Sequence, residues 1–179
     1  MFKWFAHRQI SAFERRFGYD ASYMHEIAQA SDRAISTLWR AAQMSAHREG
    51  LPKDAWHAAK IVAARAEDCG PCTQLTVDMA LADGVSQEII RAIIARDWAS
   101  LPEAVMLAVR FAEAVVAGEP ADALREDSLR RWGEKGLISI AFAITGTRMY
   151  PQLKRVLGHA QACQRITIGA DTLEVKRAA

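Results

Sequence analysis

Two cysteines separated by two residues carry the clearest chemistry in the chain, in the segment Cys69-Gly70-Pro71-Cys72. This spacing allows the two sulfur atoms to form a disulfide in a small ring or to bind one metal ion together. The segment lies between two predicted helices, where free backbone N–H groups and the positive end of a helix dipole favour thiolate over thiol. A thiolate is the nucleophile in peroxide attack and in disulfide exchange. The motif therefore predicts thiol redox chemistry, with two cysteines merely packed at a helix junction as the simpler alternative.

The same four residues occur in thioredoxins, where they follow a buried strand within a βαβ unit. Here the residues before the motif, 53–67, have the spacing of a helix. We find no alternating strand pattern anywhere in the chain. The sequence therefore predicts a different fold around a shared tetrapeptide.

The elements that must position these thiols are predicted to be helices throughout, giving an all-α chain of about eight helices. Alanine-rich segments with apolar residues three and four apart recur between glycines and prolines. We treat 1–179 as a single domain, with an amphipathic helix within 1–19 and a C-terminal tail over 159–179. The next expected helices are a long one over 20–47 and two shorter ones over 52–67 and 70–84. Ser86 caps the following helix, and the capping box Ser100–Glu103 begins the one after it. A polar helix over 122–132 and a last helix over 137–158, with a break at Gly146 and Pro151, complete the set.

Charge and hydropathy limit the classes of partner. The chain has 179 residues, with 23 Lys and Arg, 21 Asp and Glu and three cysteines, and its net charge of +2 lies within 1–20. No basic stripe is present that would neutralise a phosphate backbone, which disfavours nucleic-acid binding. No run approaches the roughly 20 apolar residues of a membrane span, and the N-terminal residues do not resemble a secretory signal. We therefore expect a cytoplasmic protein without a structural disulfide.

The residues around the motif resemble a known family. An all-helical chain with Cys-x-x-Cys at the start of a helix, followed by MALADGVSQEII at 79–90, resembles the carboxymuconolactone decarboxylase family. More narrowly it is similar to the alkylhydroperoxidase D-like branch, because the decarboxylases proper lack the paired cysteines. The resemblance covers roughly 22–158 and is strongest over 52–111. It implies an all-α subunit built around a helical hairpin and assembled as a homo-oligomer, commonly a trimer or a multiple of it.

The resemblance also implies an activity, in which a dithiol reduces hydroperoxides and is recharged by an external dithiol protein. In the family the second cysteine lies beside the proton relay, which assigns the attack on the hydroperoxide to Cys72. The resulting sulfenic acid condenses with Cys69 to give a disulfide. We expect no cofactor and no bound metal.

Two residues of the family's proton relay are changed in this chain. The family has a Glu twelve residues before the first cysteine and a His four residues after the second, and here those places hold His57 and Thr76. Position 76 is one helical turn from Cys72, but a threonine can only donate or accept a hydrogen bond. His57 titrates near neutral pH and is a candidate base. Twelve residues of straight helix span about 18 Å, so His57 can contribute only if the chain folds back or a neighbouring subunit supplies the contact.

Glu67, two residues before the first cysteine, is a further candidate for proton handling. Its carboxylate would raise a thiol pKa by like-charge repulsion, opposing the helix dipole. The simpler explanation of this residue is an ordinary position at a helix end.

Two other classes of function stay open. His159 and Cys163 are four residues apart and, with the two motif cysteines, form a Cys₃His set suited to zinc. With the relay changed, the chain also fits a helical oligomer whose dithiol is a redox sensor or a remnant without activity. The phenylalanines and basic residues of the first helix allow contact with an anionic membrane, although packing against protein is the preferred interpretation. Our main prediction is a thiol oxidoreductase that reduces hydroperoxides.

Overall fold

The computed structural model describes residues 2–160 and 165–174. This part of the chain forms eight α-helices and a two-stranded β-hairpin, which confirms the predicted all-α fold of about eight helices. The helices are α1 Phe2–Phe17, α2 Ser22–Ala30, α3 Asp32–Ala46, α4 Lys53–Ala66, α5 Gly70–Ala82, α6 Gln87–Ala95, α7 Glu103–Ala117 and α8 Asp122–Val156, with a 3₁₀ helix at Trp98–Ser100. The strands are β1 Arg165–Ile168 and β2 Asp171–Glu174.

Helix α4 lies at the centre of the molecule, packed against α5, α7 and α8. Every residue over 55–64 is buried. Half of these residues are alanines, whose small side chains let the neighbouring helices approach closely. A helix that is apolar on all sides is stable only inside a core, so the polar residues that α4 does carry are held at fixed depths in the protein. A second, smaller core joins α1, α2 and α3 around Ile10, Tyr23 and Ile35.

The cysteine motif lies at the turn between α4 and α5, where the chain folds back. Only residues 67–69 separate the two helices, and a hydrogen bond joins His57 near the start of α4 to Asp83 just after α5. The two helices therefore run antiparallel and form the predicted helical hairpin. Cys69 is the extended N-cap residue of α5, and Pro71 lies in its first turn, where the missing N–H has no helical partner to lose.

The helix predicted over 20–47 is wrong, because two helices occupy this range. Ser31 has extended backbone angles, φ −158° and ψ 121°, and its side chain accepts a hydrogen bond from the backbone N–H of Ala34 at 3.1 Å. A serine hydroxyl that can satisfy a free backbone donor favours a helix start over a helix interior. The break turns α3 toward α8, and this places Ser45 against the cavity described below.

The predicted capping box at Ser100 is also wrong. Ser100 belongs to the 3₁₀ helix, and its hydroxyl donates to the Asp97 carboxylate at 2.6 Å. Helix α7 starts three residues later at Glu103, after Pro102 and without a side-chain cap. A nearby carboxylate competed for the hydroxyl, and the sequence pattern could not show that competition.

The interruption in α8 lies at a different residue from the one predicted. The only non-helical residue inside α8 is Gly133, with φ 66° and ψ −175°, so the predicted polar helix over 122–132 ends at this kink. The predicted break at Gly146 and Pro151 is absent, because both residues lie within the helix. Gly146 is instead where α8 crosses α3. A Cβ atom added there would lie 2.8 Å from the backbone nitrogen and the Cβ of Ser45.

The expectation that the chain contains no strand is wrong at its C-terminal end. In β1, Ile166 and Ile168 are fully buried in the main core while the residues between them face outward. Its partner β2 runs antiparallel. The side chain of Gln74 in α5 donates to the Thr167 carbonyl at 2.9 Å and accepts from the Thr167 N–H at 2.7 Å. An alternation over only four residues is too short to predict a strand from the sequence. The strand is stabilised by these contacts with α5.

Helix α1 packs on its own subunit through Ala6 and Ile10, which are buried. Phe2, Trp4 and Phe5 at its start are exposed. Among the helices of the described residues, none has the length and apolar content needed to span a membrane.

We predict that Gly146→Ala lowers the free energy of unfolding by about 1–3 kcal/mol, as overpacking of a filled site does. In an ordinary helix interior, replacing glycine with alanine would raise the free energy of unfolding by as much as about 1 kcal/mol, because alanine has the higher helix propensity. Here the new methyl group meets the backbone of Ser45. Urea titration of wild type and variant measures the difference.

The matched control is Thr145→Ala, at an exposed neighbouring position of the same helix, which should change the free energy of unfolding by no more than about 0.5 kcal/mol. A Gly146→Ala protein as stable as the wild type would show that α3 and α8 can separate without cost.

Candidate functional site

A cavity of about 620 Å³ lies against α1, α2, α3, α4, α5 and α8. Its apolar wall is formed by Ile10, Phe13, Phe17, Met24, Trp39, Trp56, Leu75 and Met79. Its polar lining includes Arg16, Tyr19, Tyr23, Ser45, Arg48, His57, Lys60, Cys72, Thr76, Asp83, Thr147 and Tyr150. An apolar cavity with a few convergent polar groups is the usual form of a small-molecule site.

The two motif cysteines are bonded to each other at the edge of this cavity. Cys69 and Cys72 form a disulfide with Cα atoms 5.3 Å apart, and each residue is 5% exposed. Of the two, Cys72 lines the cavity. The Tyr19 hydroxyl lies 4.0 Å from the Cys72 sulfur. The arrangement thus gives the two sulfurs different environments, with Cys72 open to a bound molecule.

His57 lies in the same cavity, because the hairpin returns α5 alongside α4. Its ring is 3% exposed, and its Nε2 lies 3.1 Å from a carboxylate oxygen of Asp83. This hydrogen bond lowers the pKa of Asp83, so the carboxylate is ionised and Nε2 carries the proton. The other ring nitrogen, Nδ1, is buried and has no hydrogen-bond partner among the described residues. Burial lowers the pKa of His57 to about 4, which leaves Nδ1 as an unprotonated acceptor at neutral pH.

Thr76 also lines the cavity, one turn after Cys72. Its hydroxyl donates to the carbonyl of Thr73 at 2.7 Å, so its proton is already engaged within the helix. The structure therefore brings three of the residues singled out in the sequence, Cys72, His57 and Thr76, to the lining of one cavity.

Sequence reasoning missed two cations near His57. The Lys60 ammonium donates to the Ser45 carbonyl at 3.0 Å and lies 4.0 Å from the centre of the Trp56 ring. The Arg48 guanidinium lies 5.9 Å from the same ring centre. Burial lowers the pKa of Lys60 to about 8. The available signal was a lysine inside the buried run of α4, where an unpaired charge is rare.

A second group of polar residues closes the cavity near Cys72. Burial raises the pKa of Tyr19 to about 12, so its hydroxyl stays protonated and can donate. The Lys154 ammonium lies 4.7 Å from the Tyr19 ring centre and 5.5 Å from that of Tyr23. The Tyr150 hydroxyl is 3.4 Å from the Ser45 hydroxyl. Tyr19 was not identified from the sequence, because it precedes the motif by fifty residues.

Glu67 is placed outside this group of residues. Its carboxylate is buried and accepts hydrogen bonds from Arg148 at 2.5 Å and from Gln152 at 3.2 Å. Arg155 donates to its backbone carbonyl at 2.7 Å. Glu67 is not among the residues that line the cavity. These contacts tie the turn before Cys69 to α8, which is a positioning role.

The zinc hypothesis has little support in the described residues. The ring nitrogens of His159 are engaged by Ser22 at 3.1 Å and by Glu26 at 2.9 Å. Cys163 lies outside the described residues. Within 2–160 and 165–174, no group of three or more His, Cys, Asp or Glu side chains is arranged to hold a metal ion.

We predict that His57 makes the protein less stable as the pH falls from about 6.5 to about 4. The pKa is 6.5 in the unfolded chain and about 4 in the folded protein. The unfolded state therefore binds more protons in this window, and stability falls with pH, by about 3 kcal/mol in total.

His57→Gln removes the titrating group and keeps a donor for Asp83. Urea titrations of both proteins across this window isolate the effect, because all other groups titrate alike. Parallel stability curves for the two proteins would contradict a buried, neutral His57.

Comparison of the chain with models of protein families, with curated proteins and with solved structures finds no significant match. The similarity to the alkylhydroperoxidase D-like branch therefore stays a prediction, which rests on the motif residues given above.

Proposed function

We propose that this protein is a thiol-dependent hydroperoxide reductase of the alkylhydroperoxidase D-like kind. One observation carries the proposal: Cys72 and His57 line the same cavity, and the Nδ1 of His57 has no hydrogen-bond partner among the described residues, while Cys69 is already bonded to Cys72. A nucleophile, a nitrogen base and a resolving thiol are the three groups that such a reaction requires.

In the proposed reaction the Cys72 thiolate attacks one oxygen of the hydroperoxide. A sulfur–oxygen bond forms, the O–O bond breaks, and the departing alkoxide takes a proton to become an alcohol. Sulfur is oxidised to the sulfenic acid. The Cys69 thiolate then attacks the Cys72 sulfur, which forms the disulfide seen in the structure and releases the oxygen as water. An external dithiol restores both thiols by exchange.

His57 accepts the proton of the Cys72 thiol in this scheme. Its pKa of about 4 belongs to the disulfide form, in which no negative sulfur is present. A thiolate in the same cavity raises that pKa by opposite-charge attraction, so thiolate and imidazolium stabilise each other. Asp83 holds the ring through Nε2 and keeps Nδ1 free for the transfer.

Tyr19 supplies a hydrogen-bond donor near the Cys72 sulfur. Its hydroxyl is 4.0 Å from Cys72 and remains protonated because burial raises its pKa to about 12. A donor at this place stabilises negative charge, first on the thiolate and then on the departing oxygen.

The reductant and the assembly are further parts of the proposal. Each cysteine is only 5% exposed, so an external dithiol protein must reach the disulfide through a partner surface at the α4–α5 turn. Apolar side chains of α7 and α8 are exposed, namely Val115, Ile138 and Phe142. Such surface favours a homo-oligomer, and we propose a cytoplasmic trimer or a multiple of it.

We predict that Cys72→Ser abolishes hydroperoxide consumption in the presence of excess dithiothreitol, whereas reduced Cys69→Ser, freed of dithiothreitol, still consumes one equivalent. The reason is that only Cys72 faces the cavity. Peroxide consumption and labelling of sulfenic acid by dimedone are the two measurements, and the two variants serve as controls for each other.

In Cys69→Ser the sulfenic acid has no resolving partner, so dimedone should label that variant and leave Cys72→Ser unlabelled. Equal slow rates in wild type and Cys72→Ser would exclude the reductase. A disulfide that forms reversibly without turnover would instead favour the redox sensor.

We predict that His57→Gln lowers the rate constant of Cys72 with hydroperoxide by roughly 100-fold or more, which is the usual contribution of a positioned base. Asp83→Asn should have a smaller effect, because the imidazole stays but loses its charged partner. Stopped-flow kinetics against pH measure both.

His57→Gln should move the rise of the rate constant to higher pH, because the Cys72 thiol then ionises without a partner imidazolium, and Asp83→Asn should move it less. Identical pH profiles in all three proteins would remove His57 from the mechanism and leave Cys72 activation to the helix dipole alone.

A further inference from the structure

We propose that the cavity binds an amphipathic organic hydroperoxide that carries a carboxylate, with the carboxylate on Lys60 and Arg48 and the hydrocarbon chain along the apolar wall. That the ligand is a hydroperoxide rests on the function proposed above. That it carries a carboxylate rests on three separate observations.

The first observation is a buried ammonium without an anion. Lys60 is 7% exposed, and its nitrogen contacts a carbonyl oxygen and the face of Trp56. No acidic side chain among the described residues lies within ion-pair distance of it. Lysines are almost never buried unless they are paired, because removing the charge from water is costly. The contacts present orient the ammonium without neutralising it.

The second observation is the charge of the whole cavity. Its lining contains three cations, Arg16, Arg48 and Lys60, and one carboxylate, Asp83. Asp83 accepts a hydrogen bond from His57 and is half exposed. Arg48 and Lys60 both lie next to the Trp56 indole, 5.9 Å and 4.0 Å from its ring centre, and all three residues line the cavity. A carboxylate bound there would supply the missing negative charge through charge-assisted hydrogen bonds.

The third observation is the apolar wall and its size. The cavity volume of about 620 Å³ lies in the range of roughly 300–1,000 Å³ found for organic ligands. Phe13, Phe17, Met24, Leu75 and Met79 offer no hydrogen bond, and the two methionines can adapt to a flexible chain. Hydrogen peroxide would leave most of this surface without a contact. An anionic head with a hydrocarbon chain matches both halves of the lining.

Binding is tested first on the oxidised protein, where no peroxide chemistry takes place. Isothermal titration calorimetry compares dodecanoate with 1-dodecanol, which has the same chain and no charge. We expect wild type to bind dodecanoate at least tenfold more tightly than the alcohol. Lys60→Met should abolish this preference while it still binds the alcohol, which shows that the cavity is intact.

Two further variants keep the test decisive. Arg48→Gln, at an exposed position, should reduce the preference even if Lys60→Met fails to fold. Lys135→Met removes an exposed lysine of α8 and should leave the preference unchanged. Equal binding of acid and alcohol by wild type, or a preference that persists in both Lys60→Met and Arg48→Gln, would overturn the proposal.

The kinetic experiment separates this proposal from the reductase itself. The reduced enzyme is given linoleate hydroperoxide and its methyl ester, and the ratio of their kcat/KM values is measured. We expect a ratio of ten or more in wild type and near one in Lys60→Met. If neither substrate is reduced but dodecanoate binds as expected, the reductase is wrong and the carboxylate site stands. If both are reduced equally by wild type, the carboxylate site is wrong and the reductase stands.

Discussion

The burial of α4 is the constraint on which the rest of the site depends. A helix buried over 55–64 must satisfy or isolate every polar group that it carries. His57 meets this requirement by donating to Asp83 and staying neutral, and Lys60 by a carbonyl and an aromatic face. Each solution leaves one capacity unused: a lone pair on His57 and a positive charge on Lys60. Both residues line the cavity that Cys72 also lines.

The charges around the cavity act on both His57 and Cys72. Positive charge from Lys60 and Arg48 opposes protonation of His57 and favours a negative sulfur on Cys72. The first turn of α5 acts in the same direction, since Cys72 lies near its positive end.

The contacts outside the cavity serve to hold the cysteine turn in place. Glu67 fixes the turn to α8 through Arg148 and Arg155, and Gln74 fixes the β-hairpin to α5. The close crossing at Gly146 sets the position of Ser45, whose carbonyl accepts from Lys60. A residue in the middle of α8 thus influences the placement of a charge on α4.

The sequence by itself determined the helical class and the paired cysteines, because helix periodicity and motif spacing are local properties. The hairpin and the candidates Cys72 and His57 were expectations from the family resemblance. It could not decide the strand at Ile166 or the role of Glu67, since each depends on a contact made by a distant segment. The break at Ser31 was missed although its cap is local. Lys60 and Tyr19 joined the site only through the tertiary fold, which brings α1, α4 and α5 to one cavity. Charge and solvation at a site are set by all the groups that surround it, and a linear pattern records only those adjacent in the chain.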